Sequence, residues 1–230
     1  MFGLDEWIAG VSDEGSIAIV LLVATLLGLR HATDPDHLAA VSTLVVSGRE
    51  RATRAAARLG AAWGLGHAVT LVAFGVPILL AERYLPDLVQ RGAETSVAAL
   101  IAFLAVRLLV RWRHGAFAAR GEGGAHRHPA RTSAAAFGIG LVHGMGGSAG
   151  VGVLLLAAIP SRTLALVALV VLAVFTAVSM TVVTTGFGVA LSARRVSGAV
   201  ATAAPALALS SLAFGLWYAA AAWSLAPYPF

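Results

Sequence analysis

Cysteine and lysine are both missing from this chain of 230 residues, and charged side chains of either sign are scarce. Without cysteine the chain forms no disulfide, thiolate metal site or thiol redox centre. Any bound metal must therefore be held by histidine, carboxylate, methionine or backbone atoms. Only 12% of the residues are charged and 59% are hydrophobic, whereas roughly a quarter of the residues in a soluble domain are charged. This composition indicates an integral membrane protein.

Two kinds of sequence signal are also absent. The N-terminal segment is acidic and lacks the basic flank of a signal peptide, so we expect no cleaved segment. We find no nucleotide-binding P-loop, so ATP would require another subunit. The net charge of +5 comes from arginines in short loops and does not suggest a nucleic-acid partner.

Six apolar runs are each long enough to supply the ~20 residues that cross a bilayer core. We therefore predict an all-α, polytopic membrane protein with six transmembrane helices, the first of them broken because its run is too long for one simple span. The predicted spans are 16–47, 57–81, 95–113, 133–157, 163–191 and 198–224.

Arginines concentrate in the loops after the first, third and fifth spans, which predicts that these loops are cytoplasmic. Both termini are then extracytoplasmic, in the cell (inner) membrane of a bacterial-type cell. The N-terminal segment 1–15 and the tail 225–230 lie outside on this prediction, and the loop 114–132 lies in the cytoplasm.

The two halves of the chain resemble each other. Gly28-Leu29-Arg30-His31 recurs in the second half as Gly140-Leu141-Val142-His143, and Phe74-Gly75-Val76 recurs, at nearly the same offset, as Phe187-Gly188-Val189. We predict a 3+3 repeat formed by residues 16–113 and 133–224. Three spans per half give the halves opposite topology, and such inverted repeats are typical of carriers that bind substrate near the membrane midplane.

The segment from Gly28 to His37 places several ionisable side chains inside the first apolar run. A charge at membrane depth costs roughly 2.5–3.5 kcal/mol, so it persists mainly where it pairs, coordinates an ion or lines a path. His31, His37, Asp34 and Asp36 supply the nitrogen and oxygen ligands that suit nickel, cobalt or zinc. We therefore predict a metal site in this segment.

Pro35 determines whether these side chains can converge. On an unbroken helix His31 and His37 would lie about 120° apart around the axis. Proline lacks the N–H that the carbonyl of His31 would accept and clashes with that carbonyl, so two half-helices are predicted, with Asp34 as N-cap and Pro35 at the first helical position. Arg30 cannot bind a cation and is expected to pair with Asp34 or Asp36. The alternative is a polar network that ties helices together without a ligand.

Two further histidines lie roughly ten residues, or about 15 Å, inside their spans and therefore near the midplane. His67 and His143 are candidate ligands or gates, although each could instead be a hydrogen-bonded packing residue. Side chains that could line a pathway, or serve only in packing and interhelical hydrogen bonds, are Met145, Ser148, Ser179, Thr184 and Thr185.

The segment Arg30-His31-Ala32-Thr33-Asp34-Pro35-Asp36-His37 resembles the HX4DH signature of the nickel/cobalt transporter family, with His31, Asp36 and His37 at its named positions. Gly64-Leu65-Gly66-His67 is similar to a second segment of that family. The short chain with His143-Gly144-Met145-Gly146-Gly147-Ser148 is more like the urease-accessory-type relatives of the family, which are also associated with nickel. The resemblance implies a nickel or cobalt permease whose HX4DH residues recognise the metal.

We therefore predict a secondary transporter for Ni²⁺ or Co²⁺, most readily an uptake permease, and not an enzyme. We expect the metal ion to be its substrate and the lipid bilayer to be its environment. We expect no permanently bound cofactor, and the chain could form a homo-oligomer. Alternatives are an exporter that uses the same site, a membrane metalloenzyme, and an accessory protein that delivers metal to a urease or hydrogenase. Metal binds neutral imidazole and ionised carboxylate, so protons compete with it.

Overall fold

The computed structural model describes residues 4–47, 53–81, 86–114, 132–146, 153, 156–192 and 194–227. Seven helices are defined in these ranges, which contain no β-strand, so the predicted all-α class is confirmed. In chain order the helices are α1 (Leu4–His31), α2 (Pro35–Ser47), α3 (Thr53–Ala81), α4 (Asp87–Arg113), α5 (Ser133–His143), α6 (Arg162–Ser192) and α7 (Arg194–Ala222).

The first predicted span is broken where proline chemistry requires it. Helix α1 ends at His31, α2 begins at Pro35, and the two bend by 42° relative to each other. The backbone N–H of Asp34 donates to the carbonyl of His31 at 3.1 Å, and the Asp34 carbonyl accepts from the N–H of Leu38 at 3.0 Å. This is the hydrogen-bond pattern of an N-cap residue that precedes a proline at the first helical position. The broken first helix is confirmed.

The predicted number of spans is not confirmed. Four helices, α3, α4, α6 and α7, contain segments long and apolar enough to cross a bilayer, and the bent pair α1–α2 makes a fifth among the described residues. Helix α5 has only 11 residues, a length of about 16 Å against a core of about 30 Å. It ends at His143 because Gly144 and Gly146 follow, and glycine is a poor helix former. The predicted fourth span, 133–157, is therefore not one continuous helix.

Helix α3 lies at the centre of the packing, against α5 on one side and α6 on another. Helix α1 also packs on α6, while α4 packs on α7. Large apolar side chains on the outer surfaces of α3 and α6 are exposed, including Leu65, Val69, Val174 and Val182. An apolar exterior of this kind suits lipid, and with the long apolar helices it gives a multi-pass membrane protein.

The contact between α3 and α5 is close because glycines from both helices face the opposite backbone. A Cβ atom added at Gly66 would overlap the carbonyl oxygen of Phe137, and one added at Gly140 would overlap that of Trp63. Small residues that allow such backbone approach are typical of helix pairs in membranes. The contact brings the middle of α3 against the end of α5.

Replacing Gly140 with alanine tests this contact. We expect Gly140→Ala to destabilise the protein by about 1–3 kcal/mol, because the methyl group overlaps the α3 backbone. Gly138→Ala is the matched control in the same helix, where an added Cβ meets no described atom within 4 Å. It should be neutral or stabilising, since alanine is the better helix former. Unfolding in detergent measures both, and equal stabilities for the two variants would contradict the contact.

Candidate metal centre

Four histidines from four different helices converge in the interior. His31 is the last residue of α1, His37 lies in the first turn of α2, His67 is in α3, and His143 is the last residue of α5. Their neighbouring ring centroids lie between 4.3 and 5.9 Å apart. His37, His67 and His143 are fully buried, as is Asp36, and His31 is only 6% exposed. The predicted candidate ligands therefore form one buried cluster.

Two overlapping groups in this cluster have the spacing of a metal site. The first is His31, His37 and His67, and the second is Asp36, His37 and His143. In each group one ligand atom per residue lies within 4.8 Å of the others. Imidazole nitrogen and carboxylate oxygen bind divalent transition metals at about 2.0–2.2 Å, so small adjustments bring three such atoms onto one ion. The donor set suits nickel, cobalt or zinc.

Carboxylates hold two of the rings in place. Asp34 Oδ2 lies 3.4 Å from His31 Nδ1, and Asp34 Oδ1 lies 3.2 Å from a guanidinium nitrogen of Arg30. Asp36 Oδ1 lies 3.0 Å from His37 Nδ1. A carboxylate on one ring nitrogen fixes the tautomer and orientation of a histidine, which leaves the other nitrogen available to a metal. Arg30 pairs with Asp34, one of its two predicted partners.

Several ring nitrogens have no hydrogen-bond partner among the described residues, although they are buried. They are Nε2 of His37, Nδ1 of His67 and Nδ1 of His143. The Nε2 atoms of His31 and His67 lie 2.9 Å apart, within hydrogen-bond distance. A buried polar atom without a partner costs about 1–3 kcal/mol, so proteins rarely retain several together unless they serve a function. The cluster has the chemistry of a cation site.

Trp63 forms a wall of the cluster that the sequence did not indicate. Its ring is buried, with its centroid 5.8 Å from those of His37 and of His143. Trp63 precedes His67 on α3 by about one helical turn, so both side chains occupy the same face of the helix. This spacing is the feature of the sequence that could have indicated Trp63. A tryptophan in an apolar span is, however, more often a packing residue.

The predicted pathway residues do not belong to either group of ligands. Ser179 Oγ donates to the carbonyl of Gly28 at 2.8 Å and joins α6 to the last turn of α1. Thr184 and Thr185 donate to carbonyls of their own helix, each at 2.6 Å. Met145 is half-buried just after α5, and Ser148 lies outside the described residues. The hydroxyls of α6 therefore make structural hydrogen bonds.

A further buried acid, Glu94, lies outside the cluster. It is 5% exposed, accepts a hydrogen bond from Gln90 Nε2 at 3.0 Å, and packs against Gly146. The predicted third span began at residue 95 and so excluded it. The structure begins α4 at Asp87, and the Gln90–Glu94 spacing of about one helical turn was the signal for this earlier start.

The fold and the cluster define a class: a multi-pass, all-helical membrane protein with a buried histidine and carboxylate centre. The family model described as NicO, High-affinity nickel-transport protein, matches residues 17–130, a range that includes α2 and α3. Just under half of the chain is therefore similar to this family, which is a family of transporters and not of enzymes. The resemblance seen in the sequence is confirmed.

One relative extends the likeness into the second half of the chain. The Urease accessory protein UreH of Bacillus sp. (strain TB-90) is 26% identical over 192 residues, which cover 80% of this chain and 83% of UreH. No solved structure matches the chain.

The link from Arg30 through Asp34 to His31 can be tested with one substitution. We expect Asp34→Asn to weaken Ni²⁺ binding by about 10–100-fold, the usual cost of losing a partner that orients a metal-binding histidine. Asp87→Asn, at an exposed carboxylate at the start of α4, is the matched control and should leave affinity unchanged. Calorimetric titration of both variants in detergent is the measurement. Equal affinities for Asp34→Asn and the wild type would show that Asp34 does not support the site.

Proposed function

We propose that the protein is a secondary transporter that takes up Ni²⁺ or Co²⁺ and binds the ion in the buried cluster. The observation that carries the proposal is the convergence of four histidines and Asp36 from four helices. Ring nitrogens of His37, His67 and His143 have no hydrogen-bond partner among the described residues. The match of residues 17–130 to a nickel-transport family supports the choice of cargo. The word high-affinity in the family description suits the capture of a scarce ion, and this favours uptake over export.

Each part of the cluster has a proposed role. His31, Asp36 and His37 form the core of the site, and His67 and His143 are further ligands or gates. Arg30, paired with Asp34, balances the charge of the carboxylates when no cation is bound. Because Ni²⁺ and Co²⁺ bind the same nitrogen and oxygen donors, we propose both as substrates.

The packing of the two halves supports the proposed inverted repeat. An added Cβ at Gly28 in α1 would lie 2.7 Å from the carbonyl oxygen of Leu172 in α6. Gly140, the counterpart of Gly28 in the repeat, makes the corresponding contact with Trp63 in α3. Trp63 and Leu172 are separated by 109 residues, close to the offset of 112 between the two glycines. Two helix pairs related in this way suit alternating access around a central site. The inner-membrane location and the extracytoplasmic termini belong to the same proposal.

A second candidate function follows from the name of UreH, a urease accessory protein. On this alternative the chain holds nickel at the membrane and passes it to an enzyme-assembly pathway without moving it across by itself. The same cluster would bind the ion. The two functions differ in whether purified protein alone supports transmembrane flux.

Flux of radioactive nickel into sealed proteoliposomes tests the proposal. We expect saturable uptake by the wild type and its loss in His37→Ala, because His37 belongs to both groups of ligands. His114→Ala is the matched control, since His114 is exposed at the end of α4 and should leave flux unchanged.

Two results would count against the proposal, and an imposed pH gradient extends the test. Absence of flux from folded wild-type protein that still binds nickel would favour the accessory function. Loss of flux in His114→Ala as well would show that the assay reports damage and not the site. A pH gradient of either sign, imposed on the same vesicles, tests whether protons move as nickel moves, as expected if they compete for the ligands.

A further inference from the structure

We infer that the cluster offers the cation two alternative positions that share His37, and that only one is occupied at a time. The first position is formed by His31, His37 and His67, and the second by Asp36, His37 and His143. This inference rests on the proposed function, because it concerns how the transported ion is held.

His37 is close to the other ligands of both positions. Its ring centroid is 4.3 Å from that of His31 and 5.0 Å from that of His67, and it is 4.4 Å from that of His143. Its Nδ1 lies 3.0 Å from Asp36 Oδ1, while its Nε2 has no hydrogen-bond partner among the described residues. We assign Nε2 to the first position and Nδ1 to the second.

The chemistry of imidazole makes the two positions exclusive. A neutral ring has one lone pair available to a metal and one N–H. When Nε2 binds the cation, the proton is on Nδ1 and Asp36 Oδ1 accepts it. When Nδ1 binds the cation, the ring proton is on Nε2. The two positions therefore require opposite neutral tautomers of His37, and one ring cannot serve both at once.

The two positions are attached to different helices. His31 ends α1, which packs on α6, whereas His143 ends α5, which packs on α3. Asp36 and His37 belong to α2, beyond the break at Pro35. The first position therefore depends on where α1 lies and the second on where α5 lies, while His37 on α2 is common to both. An exchange between the two positions lets the ion move without losing all protein ligands.

The ligand sets also differ chemically, which makes the inference measurable. The first position has three imidazoles, and the second has two imidazoles and one carboxylate. A single site made of the whole cluster would instead have four imidazoles and one carboxylate. Co²⁺ is a suitable probe because its visible absorption depends on ligand type and geometry.

X-ray absorption of the Co²⁺-loaded wild-type protein is the first test, and it needs no variant. We expect one Co²⁺ per chain, with no more than three imidazoles around it. Four imidazoles on one ion, or two ions bound per chain, would overturn the inference while leaving the proposed function intact. Failure of the wild type to bind Co²⁺ and Ni²⁺ at all would overturn the proposed function, and this inference with it.

Substitutions then separate the two positions. His67→Gln should retain one Co²⁺ with the spectrum of the carboxylate-containing position, and His143→Gln should retain one with the spectrum of the three-histidine position. His37→Gln should lose affinity by more than the roughly 10–100-fold that removal of an outer partner costs. The control, His114→Gln, should match the wild type.

One result for these variants would overturn the inference of two positions. Identical Co²⁺ spectra for His67→Gln and His143→Gln, each at reduced affinity, would show one site that has simply lost a ligand. A variant that does not elute as a monodisperse species is excluded from the comparison, and the wild-type absorption measurement then decides between the two outcomes.

Discussion

The missing amide hydrogen of Pro35 governs how the polar groups of this membrane protein are arranged. An intact helix would keep His31 and His37 about 120° apart, and at least one of them would face away from any common site. Because the helix stops at His31 and restarts at Pro35, their ring centroids lie 4.3 Å apart. The same break leaves Asp34 beside His31 and Asp36 beside His37. One backbone interruption therefore supplies three of the proposed ligands and both of the orienting carboxylates.

The remaining ligands arrive through close helix packing. Gly66 and Gly140 allow α3 and α5 to approach until backbone meets backbone, and Thr70 Oγ1 donates to the Leu141 carbonyl at 2.9 Å across the same contact. His67 and His143 are carried by these two helices. Several buried ring nitrogens have no partner in the part of the chain that the structure describes, and each lowers the stability of the fold by about 1–3 kcal/mol. Binding of a cation at the cluster would offset this cost, which explains in physical terms why a membrane protein retains such a centre.

Much of the site could be predicted because it consists of polar residues in apolar surroundings. The break followed from the local chemistry of proline, and the convergence of His67 and His143 with the first segment followed from their similar depth.

The number of spans could not be obtained in this way, because an apolar run does not show where glycines such as Gly144 end a helix. Glu94 was missed because the predicted span was taken to begin after this acid. In the structure Glu94 lies inside α4, where one of its carboxylate oxygens accepts a hydrogen bond from Gln90. Trp63 was missed because an aromatic side chain in an apolar helix looks like any other packing residue in the sequence. The two overlapping ligand groups depend on side-chain positions that no sequence pattern contains.

The central claim is that the transported cation binds at the buried cluster beside the break in the first span. A structure of the nickel-loaded protein, with anomalous scattering measured at the nickel absorption edge, tests this claim directly. The account predicts one strong peak at bonding distance, about 2.1 Å, from a ring nitrogen of His37. A peak only at Glu94 or within the histidine-containing residues 114–132, with none at the cluster, would contradict it.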